Sequence, residues 1–242
     1  MNNFTSTHNL QAQSSDVQEI KPTAKLSTFL LLLSPSPFFC AMEQNVKVLI
    51  MGHSLVKRFH YFLKQRRDKG TLANLNLSSI EICFSGIGVR TVAKLRSFDL
   101  GHVRAFQPHV VILEIGSNDL CEAGQRPETI GSNIEDFVRM LHGQFNVKFV
   151  VVCQILNRAT APSQHPDFNL GVQVLNNYLK VVLEPLSYAE FWKHKGLRRP
   201  SIPMLLRDGV HSNDRGNYAL YRSYRGAILF ALKKLFSPAQ RA

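Results

Sequence analysis

The chain has 242 residues, 45% of them hydrophobic and 19% charged, a balance that excludes an intrinsically disordered chain and fits one globular domain with a single core. Its formal net charge of +12, with a sequence pI near 9.8, favours an acidic partner: nucleic acid, an anionic membrane surface or a negatively charged substrate. Cys40, Cys83, Cys121 and Cys153 show no paired Cys-x-x-Cys spacing, so neither a zinc site nor a thioredoxin-like motif is supported.

Residues 1–25 are rich in Asn, Thr, Ser and Gln and lack an apolar period, which is the composition of a disordered tail. Leu26 to Cys40 follows, with the run Leu30 to Leu33 cut off by Ser34-Pro35-Ser36-Pro37. It is too short and too interrupted to span a bilayer as a helix. It also makes a poor secretory signal, because the polar stretch before it is long and Phe39 stands where a small residue precedes a cleavage site. A cytoplasmic location is expected, with secretion as the alternative. Met42, just ahead of the first strand, offers a second start of translation, so residues 1–43 read as disordered or dispensable.

From Val46 the pattern alternates between apolar runs and amphipathic stretches. Val46 to Met51 is a short β-branched run ending at Gly52, as expected of a buried parallel strand. A helix is predicted from about Leu55 to Lys69, with Leu55, Phe59, Phe62 and Leu63 on one face. Its other face is basic: Lys57, Arg58, Lys64, Arg66, Arg67 and Lys69. A second cluster, Lys193, Lys195, Arg198 and Arg199, lies further on, and the charge excess belongs wholly to the part after Met42. Solvated surfaces are the plain reading of both clusters and phosphate-binding patches the other. Aromatic platforms that would mark single-strand binding are not obvious beside them.

A second strand is predicted from Leu77 to Phe84, after which Gly86-Ile87-Gly88 turns into a helix carrying Val92, Leu95 and Phe98. Val110 to Ile115 is the third strand. Pro127 and Glu128 open a helix that buries Ile130, Ile134, Phe137, Val138 and Leu141, with proline at the first turn where no amide is missed. Val147 to Val152 is the fourth strand, a loop with Pro162 and Pro166 leads to a helix from Leu170 to Leu183, and Tyr188 to Trp192 is the fifth strand. A last helix runs from Arg215 to Phe236. The prediction is a flavodoxin-like, three-layer α/β/α sandwich around a mostly parallel five-stranded sheet, spanning residues 44–236 with 237–242 as a tail.

In such sheets ligands bind beyond the carboxyl ends of the strands. Ser54, Gly88 and Asn118 follow strands one, two and three and so gather on one edge, where the loop Asp208-Gly209-Val210-His211 has only to join them. A serine that attacks an acyl carbon needs a base, a carboxylate to orient the base, and donors for the oxyanion. Ser54, His211, Asp208 and the Asn118 amide supply those groups. Each has a plainer use: Ser54 and Asp208 as helix caps, Gly88 and Asn118 as turn residues, and His211 as a surface histidine like His8, His60, His102, His142, His165 and His194. It is their coincidence that favours the chemical reading.

With these blocks in view, the chain resembles the SGNH hydrolases, the superfamily of GDSL-type esterases and lipases, over roughly residues 44–236. Ser54 matches the block I serine, Gly88 the block II glycine, Asn118 the asparagine of a Gly-x-Asn-Asp signature, and Asp208 with His211 the Asp-x-x-His of block V. The resemblance implies Ser54 as nucleophile, His211 as base and then acid, and Asp208 as its orienting partner. It implies an oxyanion hole from the Ser54 and Gly88 amides and the Asn118 side chain, with Gly86 as a rival to Gly88. The implied substrate is a small-molecule or lipid-like acyl ester, with no cofactor and no metal. One departure stands out, since block I reads Gly-His53-Ser where the family usually has Gly-Asp-Ser, and histidine supplies no fixed negative charge. Gly-His-Ser, Asp-Gly-Val-His and the stretch from Tyr221 to Ala227 also resemble an expanded animal subgroup of SGNH-like domains, some of them tied to retroelement-encoded proteins. With the basic clusters, this makes a catalytically weak or inactive binding module, linked to nucleic acid, the competing expectation.

Overall fold

The computed structural model describes residues 45–66, 74–197 and 204–237. Five strands form the sheet: β1 Val46–Gly52, β2 Ile80–Gly86, β3 Val110–Glu114, β4 Phe149–Cys153 and β5 Ala189–Trp192. Their order is β2-β1-β3-β4-β5 and every pair is parallel, so the sheet reverses its winding between β1 and β3. That reversal opens a crevice above the strand ends, where the chain leaves for opposite faces.

Because side chains alternate along a strand, β1 feeds both faces. Leu49 and Met51 pack in the core beneath α4 (Pro127–Phe145) and α5 (Phe168–Leu183), while Val48 and Ile50 pack beneath α1 (Ser54–Gln65) and α6 (Asp214–Phe236). Leu55, Phe59, Phe62 and Leu63 of α1 are buried as their spacing expects, and Phe59 meets Tyr224 of α6 at 5.1 Å between ring centroids. Arg66 ties the end of α1 to Asp214 at the start of α6. Pro127 occupies the first turn of α4, and Asn146 ends that helix in the left-handed conformation.

Two expectations are corrected. Strand β2 begins at Ile80 rather than Leu77, because Leu75 and Asn76 adopt left-handed backbone and the Asn74 amide caps the carbonyls of Leu77 and Ile80. Leu77 is buried from a turn instead. Phe98, expected on the inner face with Val92 and Leu95, is 70% exposed. The helix is divided into α2 (Val92–Lys94), a π-helical turn (Leu95–Asp99) and α3 (Leu100–Phe106). The wider turn rephases the chain so that Phe98 points outward beneath the Arg90 guanidinium. Cys83, Cys121 and Cys153 are free thiols, Cys153 buried and Cys83 half-buried. Among the described residues no helix is long and apolar enough to cross a membrane. Residues 1–43, Cys40 among them, lie outside the described residues, as do Arg67, Lys69, Arg198 and Arg199.

Candidate active site

The turn between β1 and α1 is built around two close backbone contacts. A Cβ on Gly52 would lie 2.0 Å from the Glu114 carbonyl oxygen, and one on Gly86 would lie 2.2 Å from the Lys57 amide nitrogen. Both positions exclude any side chain. The His53 amide then donates to the Glu114 carbonyl at 3.2 Å, and Ser54 opens α1 with its hydroxyl at the sheet edge.

Ser54 Oγ lies 3.1 Å from His211 Nε2, and His211 Nδ1 lies 2.8 Å from Asp208 Oδ2. Asp208 Oδ1 also accepts the amides of Val210 and His211, each at 2.9 Å. Partial burial pushes the Asp208 pKa up, but those two amides and the imidazole outweigh it and hold the carboxyl at about 2. The loop reaches this place through its own backbone ties. Leu205 bridges to Ser212, Leu206 donates to the His211 carbonyl at 2.7 Å, and Ala159 donates to the Gly209 carbonyl at 2.8 Å.

Ser54, Gly88, Asn118 and His211 all line one cleft of about 620 Å³ above the strand ends. Gly88 lines the cleft with open space beside its Cα, whereas Gly86 is packed against α1. The Asn118 amide donates one hydrogen to the Arg90 carbonyl at 2.8 Å, so its orientation is fixed while its second hydrogen remains. Asp119, next in sequence, is buried and accepts the Val92 amide at 2.9 Å. Burial raises its pKa to about 6.

His53 caps α1, its Nδ1 accepting the Leu55 amide at 3.3 Å. Burial lowers its pKa, against the opposing pull of Glu114 and with added push from Arg158 and His211. The imidazole therefore stays neutral at neutral pH and adds no positive charge beside His211.

Three residues had no role in the sequence reading. Glu114 is 2% exposed at the end of β3; its Oε2 accepts the Tyr224 hydroxyl at 2.9 Å and pairs with His194 Nε2 at 3.0 Å. Burial pushes its pKa up, but the attraction and hydrogen bond of His194 outweigh this and hold it below the ordinary value. His194, expected at the surface, is fully buried and reaches Ser223 Oγ through Nδ1 at 2.8 Å. The flanking Lys193 and Lys195 disguise it. Glu114 did carry a signal, since a carboxylate closing a strand buried on both faces needs a partner. Arg158, from the loop after β4, also lines the cleft.

The fold, a parallel five-stranded sheet with helices on both faces, matches that of GDSL-type hydrolases. A family profile described as the GDSL-like lipase/acylhydrolase family matches residues 57–219, more than half of the chain, and the chain belongs to that family. The matched stretch begins just past Ser54. Among solved structures, a GDSL-like lipase from Bacteroides thetaiotaomicron superposes with a TM-score of 0.60 at 18% identity, covering 76% of this chain and 88% of that one. A carbohydrate esterase family 3 protein from Talaromyces cellulolyticus gives 0.59 at 14% identity, over 78% and 98%. A mutant acetyl esterase with acetate ion gives 0.60 at 14% identity, over 78% and 99%. These likenesses establish the shared fold. No curated protein matches the chain.

Proposed function

We propose that this protein is a serine esterase that cleaves a carboxylic acyl ester through Ser54, His211 and Asp208. The unbroken hydrogen-bonded chain Ser54–His211–Asp208 at the mouth of the cleft carries this reading. Ser54 Oγ attacks the acyl carbon while its proton passes to His211 Nε2. Asp208, ionised down to about pH 2, holds Nδ1–H and stabilises the imidazolium. The oxyanion meets the Ser54 amide at the start of α1, the Gly88 amide and the free hydrogen of the Asn118 side chain; one such donor contributes about 3 kcal/mol. Collapse breaks the ester bond and expels the alcohol, which takes the proton from His211. Water then repeats the steps on the acyl-serine, releasing the acid.

A fluorophosphonate probe and a short-chain nitrophenyl ester test this directly. The wild type is expected to label and turn over, and Ser54→Ala to do neither, with a rate loss on the order of 10⁴-fold or more. Absence of labelling together with equal rates in the two proteins would sink the esterase in favour of a binding module without turnover.

A further inference from the structure

We infer that the ester cleaved here carries an anionic group, a carboxylate or a phosphate, and that Arg158 receives it, which rests on the hydrolase reading of the same cleft. Arg158 is held in advance of any ligand. Its backbone amide and carbonyl are both clamped by the Asn169 side chain, at 3.0 and 2.9 Å. Its guanidinium stacks over Phe168, 4.3 Å from the ring centroid. Nη2 donates to the carbonyl and hydroxyl oxygens of Ser117, at 3.4 and 3.2 Å, one residue from the oxyanion asparagine.

Every one of those partners is neutral. Among the described residues no carboxylate lies within 4.0 Å of the Arg158 guanidinium, and its Nε is shielded from solvent without a hydrogen-bond partner. Leaving a fixed guanidinium half-buried and unpaired is costly unless an anion arrives to share it. Its planar fork matches a carboxylate or phosphate oxygen pair.

The rest of the cleft has the same sign. Lys57 and Arg58 extend into it from α1, both exposed and neither in an ion pair among the described residues. Glu114 is the carboxylate among the lining residues, and it is already engaged by His194 and Tyr224. A substrate anion thus meets attraction from both walls, and the two carboxylates nearby, Glu114 and Asp208, are each already engaged by a histidine.

Matched ester pairs test this and tell where the anion sits. Nitrophenyl butyrate against nitrophenyl hemisuccinate places it on the acyl side; acetylated glycerol against acetylated glycerol phosphate places it on the alcohol side. One pair is expected to show about a tenfold or larger preference in kcat/KM for its anionic member, carried mainly by KM. The preference should shrink as salt rises. Arg158→Gln should cut it about tenfold and Arg158→Lys restore part of it, while a fall equal for both members marks a structural role only. Should Arg158→Gln fail to fold, the Lys57→Gln/Arg58→Gln double variant reads the same preference. Turnover with equal rates within both pairs overturns the anionic substrate and leaves the esterase standing. Calorimetric titration of Ser54→Ala with the four esters separates the two readings. Arg158-dependent binding of an anionic member, without hydrolysis by the wild type, would remove the esterase and keep the anion site; no preferential binding removes the site.

Discussion

Ser54, His211 and Asp208 in the cleft have a counterpart inside the protein, where Ser223, His194 and Glu114 form the same chain of hydroxyl, imidazole and carboxylate. The distances are alike: 3.1 and 2.8 Å in the cleft, 2.8 and 3.0 Å in the core. The surroundings are not. Ser54 begins a helix, faces a cleft and has further donors across from it, whereas Ser223 lies within α6, nearly buried, with its oxygen also accepting the Trp192 indole N–H at 3.0 Å. Inside the core the imidazole bridges the sheet to α6 and finds no room for a reactant. The three groups alone therefore do not define a hydrolytic centre; solvent access, a helix start and a place for the oxyanion do.

Exchanging single groups between the two chains sharpens this contrast. The largest effect is expected from Asp208→Asn, which keeps the loop's amide contacts but leaves His211 without its anionic partner. Ester turnover should fall about 10³- to 10⁴-fold while the melting temperature changes little, and steady-state rates beside a melting curve check both. A matching fall in stability would erase the distinction between the regions. The reverse pattern belongs to His194→Leu: with Glu114 left buried and underpaired, unfolding free energy should drop by about 3 to 5 kcal/mol in urea titrations.

Asp119 supplies a pH-dependent effect. Its pKa in the fold is about 6, against an ordinary value of 3.8, so between those values the folded state holds a proton that the unfolded chain has lost. Stability therefore falls as pH rises across that window and is flat above it. Asp119→Asn removes the dependence. Its stability relative to the wild type should improve by up to about 3 kcal/mol from pH 4 to pH 7, read from melting curves at each pH. The smallest effect is expected from His53→Ala, which removes the cap of α1 and should cost about 1 kcal/mol. A loss far larger than that would mean that His53 does more than cap.

The parallel sheet was legible because β1, β3 and β4 are mainly apolar runs, with Gly52 closing β1 and Gly116 two residues past β3, and because a two-sided sheet forces the intervening helices onto both faces. The residues meeting in the cleft were legible for a related reason, since positions after consecutive parallel strands share an edge. Phe98 was misread because one wide helical turn, invisible in residue types, shifts every later side chain. His194 was misread because two lysines beside it suggested solvent, while its burial is decided by Glu114, far away in sequence. Arg158 sits in a loop whose course depends on Asn169 and Asn176 clamping backbone groups of Arg158 and Ile155. Such pairings leave no periodic trace.

Gly52 and Gly86 face each other in register across β1 and β2, one touching the β3 backbone and the other the α1 backbone. The serine turn is thus clasped by peptide groups on both sides, with no side chain as intermediary. Its coordinates are inherited from main-chain dimensions, which are the same for every sequence. Exchange of core side chains beneath it should transmit little displacement to the Ser54 hydroxyl, because no side chain lies between that turn and the backbone it rests on.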